Sequence, residues 1–164
     1  MLINMSTNSG GFKMMIVGEK KAGLNYQGRK SSYGILTNSN GQIAVACQKN
    51  WGLIFLGGKI EEGETPKQTI IRETLEEVGY KIDNLKYYDS VSAYYDVYFK
   101  DGRLIHSHNL AEFYIGIIKN KIQEPIEPNT SIEWYYPNDL KGKMKLEFQN
   151  LILDKYIQDT VKTK

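Results

Sequence analysis

Long apolar runs, paired cysteines, a charge excess and internal repeats are all missing from this sequence, and each absence closes off a class of protein. No stretch approaches the roughly 20 consecutive apolar residues that a membrane-spanning helix needs. A single cysteine, Cys47, rules out an intrachain disulfide and fits a reducing compartment. It ends the apolar strand pattern Ile43-Ala44-Val45-Ala46-Cys47 and reads as a buried structural thiol rather than a nucleophile. The formal net charge of +2 is too small to make nucleic acid the main partner, though it suits anionic small molecules. The first residues, MLINMSTNSGGFK, lack both a basic start and a long apolar middle, so they do not read as a signal peptide. A soluble, cytoplasmic protein with no membrane partner is the expectation.

What is present suits one compact domain: 164 residues, 41% hydrophobic and 24% charged, enough for a core and too short for two comfortable ones. Residues 1–30 read as an N-terminal extension, ragged over 1–12, with a first short strand at Met14–Val17; residues 31–164 read as a single domain. Tyr33–Leu36 and Gln42–Gln48 flank Asn38-Ser39-Asn40-Gly41, a turn composition that predicts a hairpin. Leu53–Leu56 is a further strand running into Gly57-Gly58. Thr65-Pro66-Lys67-Gln68 announces a helix, with Thr65 as N-cap and Gln68 closing a capping box. Ile70, Ile71, Thr74, Leu75 and Val78 form its buried stripe, and Gly79 stops it in the left-handed conformation.

Further strands follow at Leu85–Ser92, Ala93–Phe99 and Leu110–Ile118, with a turn at Asp101-Gly102. A loop punctuated by Pro125 and Pro128 spans Gln123–Asn129, and Ser131–Tyr136 is another strand. Met144, Phe148, Leu151, Ile152, Lys155 and Tyr156 recur at helical spacing and predict a closing amphipathic helix. Strands, a helix, more strands and a last helix point to the α/β class, as an α/β/α sandwich around a mixed sheet.

The chemistry concentrates in residues 58–80. Glu73, Glu76 and Glu77 stand at i, i+3 and i+4 and so share one helical face. Like charges that close repel, and a divalent cation would relieve the repulsion. Hard oxygen donors without accompanying Cys or His favour Mg²⁺ or Mn²⁺ over Zn²⁺. Gly57, Gly58 and Gly63 let the preceding backbone turn tightly and approach a metal or phosphate, and Arg72 is placed to brace the acidic cluster. Three glutamates alone would read as a solvated acidic face. Loop, cap, arginine and carboxylates arriving together read as metal-assisted phosphoryl chemistry.

The stretch resembles the Nudix box, G-x5-E-x7-R-E-U-x-E-E-x-G-U with U aliphatic. Gly58, Glu64, Arg72, Glu73, Glu76, Glu77 and Gly79 fall on its fixed positions, while Thr74 and Tyr80 depart from it at the two aliphatic ones. The flanking strands and closing helix fit the Nudix fold over about residues 30–158. The resemblance implies a nucleotide pyrophosphohydrolase: a nucleoside diphosphate linked to a further group would be cut by water attack at one phosphorus. It implies Glu76 and Glu77 as metal-binding carboxylates, the Gly57 carbonyl as a backbone ligand, and Glu73 as ligand or base held by Arg72. Glu64 would support the cluster or pair with the arginine. Family members recruit a glutamate from a distal loop, for which Glu127 is the first candidate and Glu124 the second; they also often pair as homodimers.

Outside the box the substrate is weakly marked. The sequence of residues 57–66 is similar to that of MutT-type (d)NTP sanitisers. Tyr98 lies near a tyrosine of dinucleoside-polyphosphate hydrolases, and the marks of NADH- and ADP-ribose-cleaving members are missing. Hydrolysis of dinucleoside polyphosphates or of ADP-ribose and nucleotide sugars stands as the alternative, with a non-catalytic nucleotide sensor disfavoured because every box carboxylate is retained. Lys59, Arg29 and Arg103 are candidate phosphate contacts. Tyr87, Tyr88, Tyr94, Tyr95, Tyr98, Trp134 and Tyr135 could stack on a base, although strands favour aromatics for packing alone. His106 and His108 read as loop histidines near the Asp101-Gly102 turn rather than as a metal pair.

Overall fold

The computed structural model describes residues 3–7 and 13–163. In chain order the elements are β1 (Ile3–Thr7), β2 (Lys13–Val17), β3 (Tyr26–Thr37), β4 (Ile43–Gln48), β5 (Gly52–Lys59), α1 (Pro66–Val78), β6 (Tyr80–Tyr98), β7 (Leu104–Lys121), β8 (Thr130–Tyr135), α2 (Pro137–Leu140) and α3 (Glu147–Lys162). The eight strands make one mixed sheet in the order β1-β2-β6-β7-β3-β5-β4-β8. The β2–β6 and β3–β7 pairs are parallel and the other pairings antiparallel.

Side-chain alternation divides this sheet into two covered faces. Ile43 and Val45 of β4, with Tyr33, Ile35, Phe55 and Phe113, pack against Phe148, Ile152 and Leu153 of α3. The intervening Ala44 and Ala46, with Leu36, Ile54, Leu56 and Tyr114, pack against Ile70 and Val78 of α1. One helix therefore lies on each face, which is the α/β/α sandwich expected from the sequence.

Several local readings change. Ile3–Thr7 is a strand paired with β2, so the ragged start does not extend across it; residues 1–2 and 8–12 lie outside the described residues. β3 begins at Tyr26, and β2 joins the main sheet beside β6. The two segments 85–92 and 93–99 fall, all but Phe99, on one 19-residue strand. Three register irregularities between Tyr80 and Asp89 break its alternation, which is why it does not read as continuous. Ile71 stands 44% exposed rather than in the buried stripe. Cys47 is only partly buried, on a strand beside β8.

Thr74, at a box position where the family pattern has an aliphatic residue, is fully buried, and its hydroxyl has no partner among the described residues. Valine keeps the branched shape and removes the unmet polar atom. Thr74→Val should stabilise the protein by about 1 kcal/mol. A melting temperature raised by about 2–4 °C would register that gain, and a lowered one would refute it.

Candidate active site

Helix α1 starts as its sequence dictates. The Gln68 N–H donates to Thr65 Oγ1 at 3.2 Å, and the Thr65 N–H donates to Gln68 Oε1 at 2.8 Å, so both halves of the capping box are made. This fixed start sets which face of the helix turns to β5, and that face carries Glu73 and Glu77.

Arg72 organises the acidic residues around it. Its Nε donates to Glu64 Oε1 at 2.6 Å and its Nη2 to Glu64 Oε2 at 3.0 Å, a two-point clasp. Its Nη1 donates to Glu73 at 3.0 Å and to Glu76 at 3.1 Å, and Nη2 also reaches the Lys59 carbonyl at 3.2 Å. The Arg72 hydrogen bond holds the Glu64 carboxyl down at about 2, and the same bond, with Glu73 behind it, raises the guanidinium further. Burial nevertheless raises Glu73 above the ordinary carboxylate range, because desolvation outweighs the arginine's pull.

Glu77 is only 3% exposed, and its carboxylate accepts the Gly57 N–H at 3.4 Å. Burial first, then repulsion from Glu73 and Glu127, pushes it well above the usual value. Among the described residues no cationic side chain lies within ion-pair distance of Glu77 or Glu127. Gly57 itself has φ +141°, and a Cβ there would collide with the Ser32 carbonyl oxygen, so the backbone meets Glu77 at a point no other residue could occupy.

Carboxylate oxygens of Glu73, Glu76 and Glu127 all lie within 4.8 Å of one another. Two of these residues belong to α1 and the third to the loop between β7 and β8. Partly buried, mutually repelling hard oxygens, with Arg72 as the one counter-charge on Glu73 and Glu76 and none on Glu127 among the described residues, fit a divalent cation. Beside them opens a cavity of about 770 Å³, lined among others by Arg29, Lys59, Glu73, Glu77, Tyr98 and Glu127.

Most of the residues singled out from the sequence are therefore brought together, and some are not. Glu124 points away, paired with Lys121 at 3.0 Å. Arg103 pairs with Asp101 and lies over the Phe99 ring, outside the cavity lining. Tyr94, Tyr95 and Tyr98 line the cavity, with Tyr98 76% exposed at its edge. Tyr87, Tyr88 and Trp134 instead pack on Tyr114, Tyr156 and Tyr80. The histidines lie on β7, not in a loop: His106 bonds Asp96 at 2.6 Å, and His108 bonds Ser92 at 2.8 Å while stacking on Tyr94. Trp51, Tyr33 and Phe148 also line the cavity and were not singled out. Trp51 lies in the β4–β5 turn, where an aromatic in a turn is the only signal its sequence position offers; the other two are ordinary core aromatics in the sequence.

The chain belongs to the Nudix family: the family model described as the NUDIX domain matches residues 29–156. Among curated proteins it is similar to an 8-oxo-dGTP diphosphatase of Escherichia coli (strain K12), 47% identical over 51 residues. That match covers 28% of this chain and 40% of the relative. Among solved structures, a MutT protein from Methanosarcina mazei Go1 superposes with a TM-score of 0.60 at 15% identity, covering 84% of this chain and 98% of that one. A Bacillus subtilis pyrophosphohydrolase, solved as a point mutant, gives a TM-score of 0.56 at 18% identity, with 97% and 94% covered. At these identities the two structures speak for the fold. No helix among the described residues is long and apolar enough to cross a membrane.

Proposed function

We propose that this protein is a Mg²⁺-dependent nucleotide pyrophosphohydrolase, with Mn²⁺ as an alternative cation, acting on a nucleoside diphosphate linked to a further group. The observation that carries this reading is the convergence of Glu73 and Glu76 from α1 with Glu127 from a separate loop, beside buried Glu77 and an open cavity. A surface charge run would not bring a carboxylate from a distant loop, itself without a cationic partner among the described residues, to within 4.8 Å of two helix carboxylates that share a single arginine.

In this reading Glu73, Glu76, Glu77 and the Gly57 carbonyl hold the cation. Bound there, a divalent cation neutralises pyrophosphate charge and makes an attacking water more acidic. Arg29 and Lys59, both on the cavity wall, draw the phosphates in. Arg72 fixes the rotamers of Glu64, Glu73 and Glu76, so the acidic cluster does not reorganise as charge develops. Glu127 takes the proton of the attacking water as its oxygen bonds to phosphorus and the bridging P–O bond breaks. The products are a nucleoside monophosphate and a phosphorylated leaving group. The MutT-like stretch and the activity of the Escherichia coli relative favour (d)NTPs as the first substrates to test. One partly buried thiol and no disulfide suit action in the cytoplasm.

Nucleotide products, separated by chromatography after incubation with Mg²⁺ and canonical and oxidised dNTPs, ADP-ribose, nucleotide sugars and diadenosine polyphosphates, test the proposal. Turnover of at least one, abolished by EDTA and restored by Mg²⁺, is expected. Inactivity across the whole panel would shift the reading to a nucleotide sensor.

A further inference from the structure

Gly79 ends helix α1 at φ +79° and ψ 20°, its N–H donating to the carbonyls of Thr74 at 3.1 Å and Leu75 at 3.0 Å. As a helix cap alone, that position would accept asparagine, which visits the left-handed region readily. A second set of contacts forbids it. The Gly79 carbonyl accepts the N–H groups of Ile122 at 2.9 Å and Gln123 at 3.3 Å. A Cβ on Gly79 would run into the Gln123 carbonyl oxygen, with the Gln123 carbonyl carbon at 3.0 Å and that of Glu124 at 3.5 Å. The chain then folds back over the last helical turn. Gln123 Nε2 donates to the Leu75 carbonyl at 3.3 Å, and the Ile126 and Glu127 N–H groups donate to the Glu76 carbonyl at 2.9 Å and 3.1 Å. Farther on, the Lys49 N–H donates to the Asn129 carbonyl at 2.9 Å and ties down the loop's other end.

We infer that Gly79 is a positioning residue for Glu127: its missing side chain leaves the seat on which Gln123–Glu127 folds over α1. The same residue, Glu76, thus offers its carboxylate to the acidic cluster and its carbonyl to the backbone of the glutamate completing that cluster. Any Cβ at 79 lifts the loop at Gln123, four residues before Glu127, and loosens the two bonds to Glu76. This inference rests on the proposed role of Glu127 at the reacting centre.

Gly79→Ala and Gly79→Asn separate the two functions of the position. Both place a Cβ against Gln123, but asparagine largely relieves the backbone strain that alanine suffers. Each variant should lose turnover by about 10²-fold or more, the scale of a displaced general base, with KM little changed. Amide exchange followed by mass spectrometry on the EDTA-treated protein should quicken over residues 122–127 in both. Gly79→Asn combined with Glu127→Gln should be no slower than Glu127→Gln alone. Near-parental turnover in Gly79→Asn would reduce the glycine to a helix cap and overturn the inference, as would losses that multiply in the double variant. Glu127→Gln with parental turnover would instead remove the assigned role of Glu127, and only the exchange result would then bear on the seat. Should the Gly79 variants fail to fold, Gln123→Ala loosens the same seat from the loop side. Faster exchange at residues 122–127 is expected there too, and unchanged exchange would overturn the seat.

Discussion

Replacing Glu77 with glutamine is expected to lower turnover by roughly two to three orders of magnitude, the loss of several kcal/mol of charge stabilisation at the transition state. The same substitution should leave the metal-free protein at least as stable as the parent. The two outcomes have one cause. Glu77 is buried, repelled by Glu73 and Glu127, and met only by the Gly57 N–H, so its charge is an asset solely when a cation shares the site. Because its pKa is raised on folding, the folded state holds more protons than the unfolded state above the ordinary glutamate value of about 4.3. Stability contributed by neutral Glu77 is complete below that value and is lost as pH rises through the raised folded pKa.

In EDTA the melting temperature of the parent should therefore fall between mildly acidic and neutral pH, and Glu77→Gln should flatten the slope. Mg²⁺ should restore much of the loss in the parent, since it binds only the folded form. Glu64 acts in the opposite sense and in another window. Held at about 2 by Arg72, it supports the fold above about 4.3 and is lost only as pH falls toward 2. Calorimetric melting from pH 5 to pH 8 keeps clear of Glu64, and the difference between parent and variant separates Glu77 from Glu73, which burial also raises; a variant with the parent's slope, or with the parent's turnover, would defeat the assignment.

Arg72→Lys is expected to cost about 10–100-fold in activity or metal affinity, the usual range for a residue that orients metal ligands. The charge survives but the fork does not. Arg72 spends Nε and Nη2 on Glu64 and Nη1 on both Glu73 and Glu76, and a single ammonium cannot reach all three in those directions. If only a positive charge were needed, lysine would preserve function. Metal titrations of turnover give the answer: a midpoint moved to higher Mg²⁺ places the effect on the carboxylates that Arg72 holds. Arg72→Gln should lose more than lysine does and should also melt at a lower temperature, because three carboxylates would then face one another without a counter-charge.

The site was legible wherever its geometry follows from a single helix. Spacing alone puts Glu73 and Glu77 on one face, and Thr65 with Gln68 fixes where that face points. The partnership of Arg72 with Glu64 could be expected only from the family pattern, since eight residues and a loop separate them. What periodicity could not supply was the far side of the cavity. Tyr33 and Phe148 have the composition of core residues and are largely core; their second role exists only once β3 and α3 flank the same opening. The polar run His106-Ser107-His108-Asn109 looked like a loop because its hydrogen-bonding demands are met by neighbouring strands rather than by water, with Ser31 bonded to Asn109 at 2.7 Å. Ile71 failed for a simpler reason: the helix rests on the sheet through a narrower stripe than its apolar content suggests.

The parallel pairing of β3 with β7 carries a consequence for how the chain is made. Every pair in that twelve-rung ladder joins residues 80 positions apart, from Tyr26 with His106 to Thr37 with Ile117. On the ribosome, β3 emerges with β4 and β5 and can pair with them at once, yet its other edge waits for most of the remaining chain. During that interval the edge presents unpaired backbone beside apolar Ile35 and Leu36, a surface open to the wrong partner. Closing so long a loop also slows the step that buries it. Fragments cut short before β7 should therefore aggregate rather than fold, although they would contain every residue of the Nudix box.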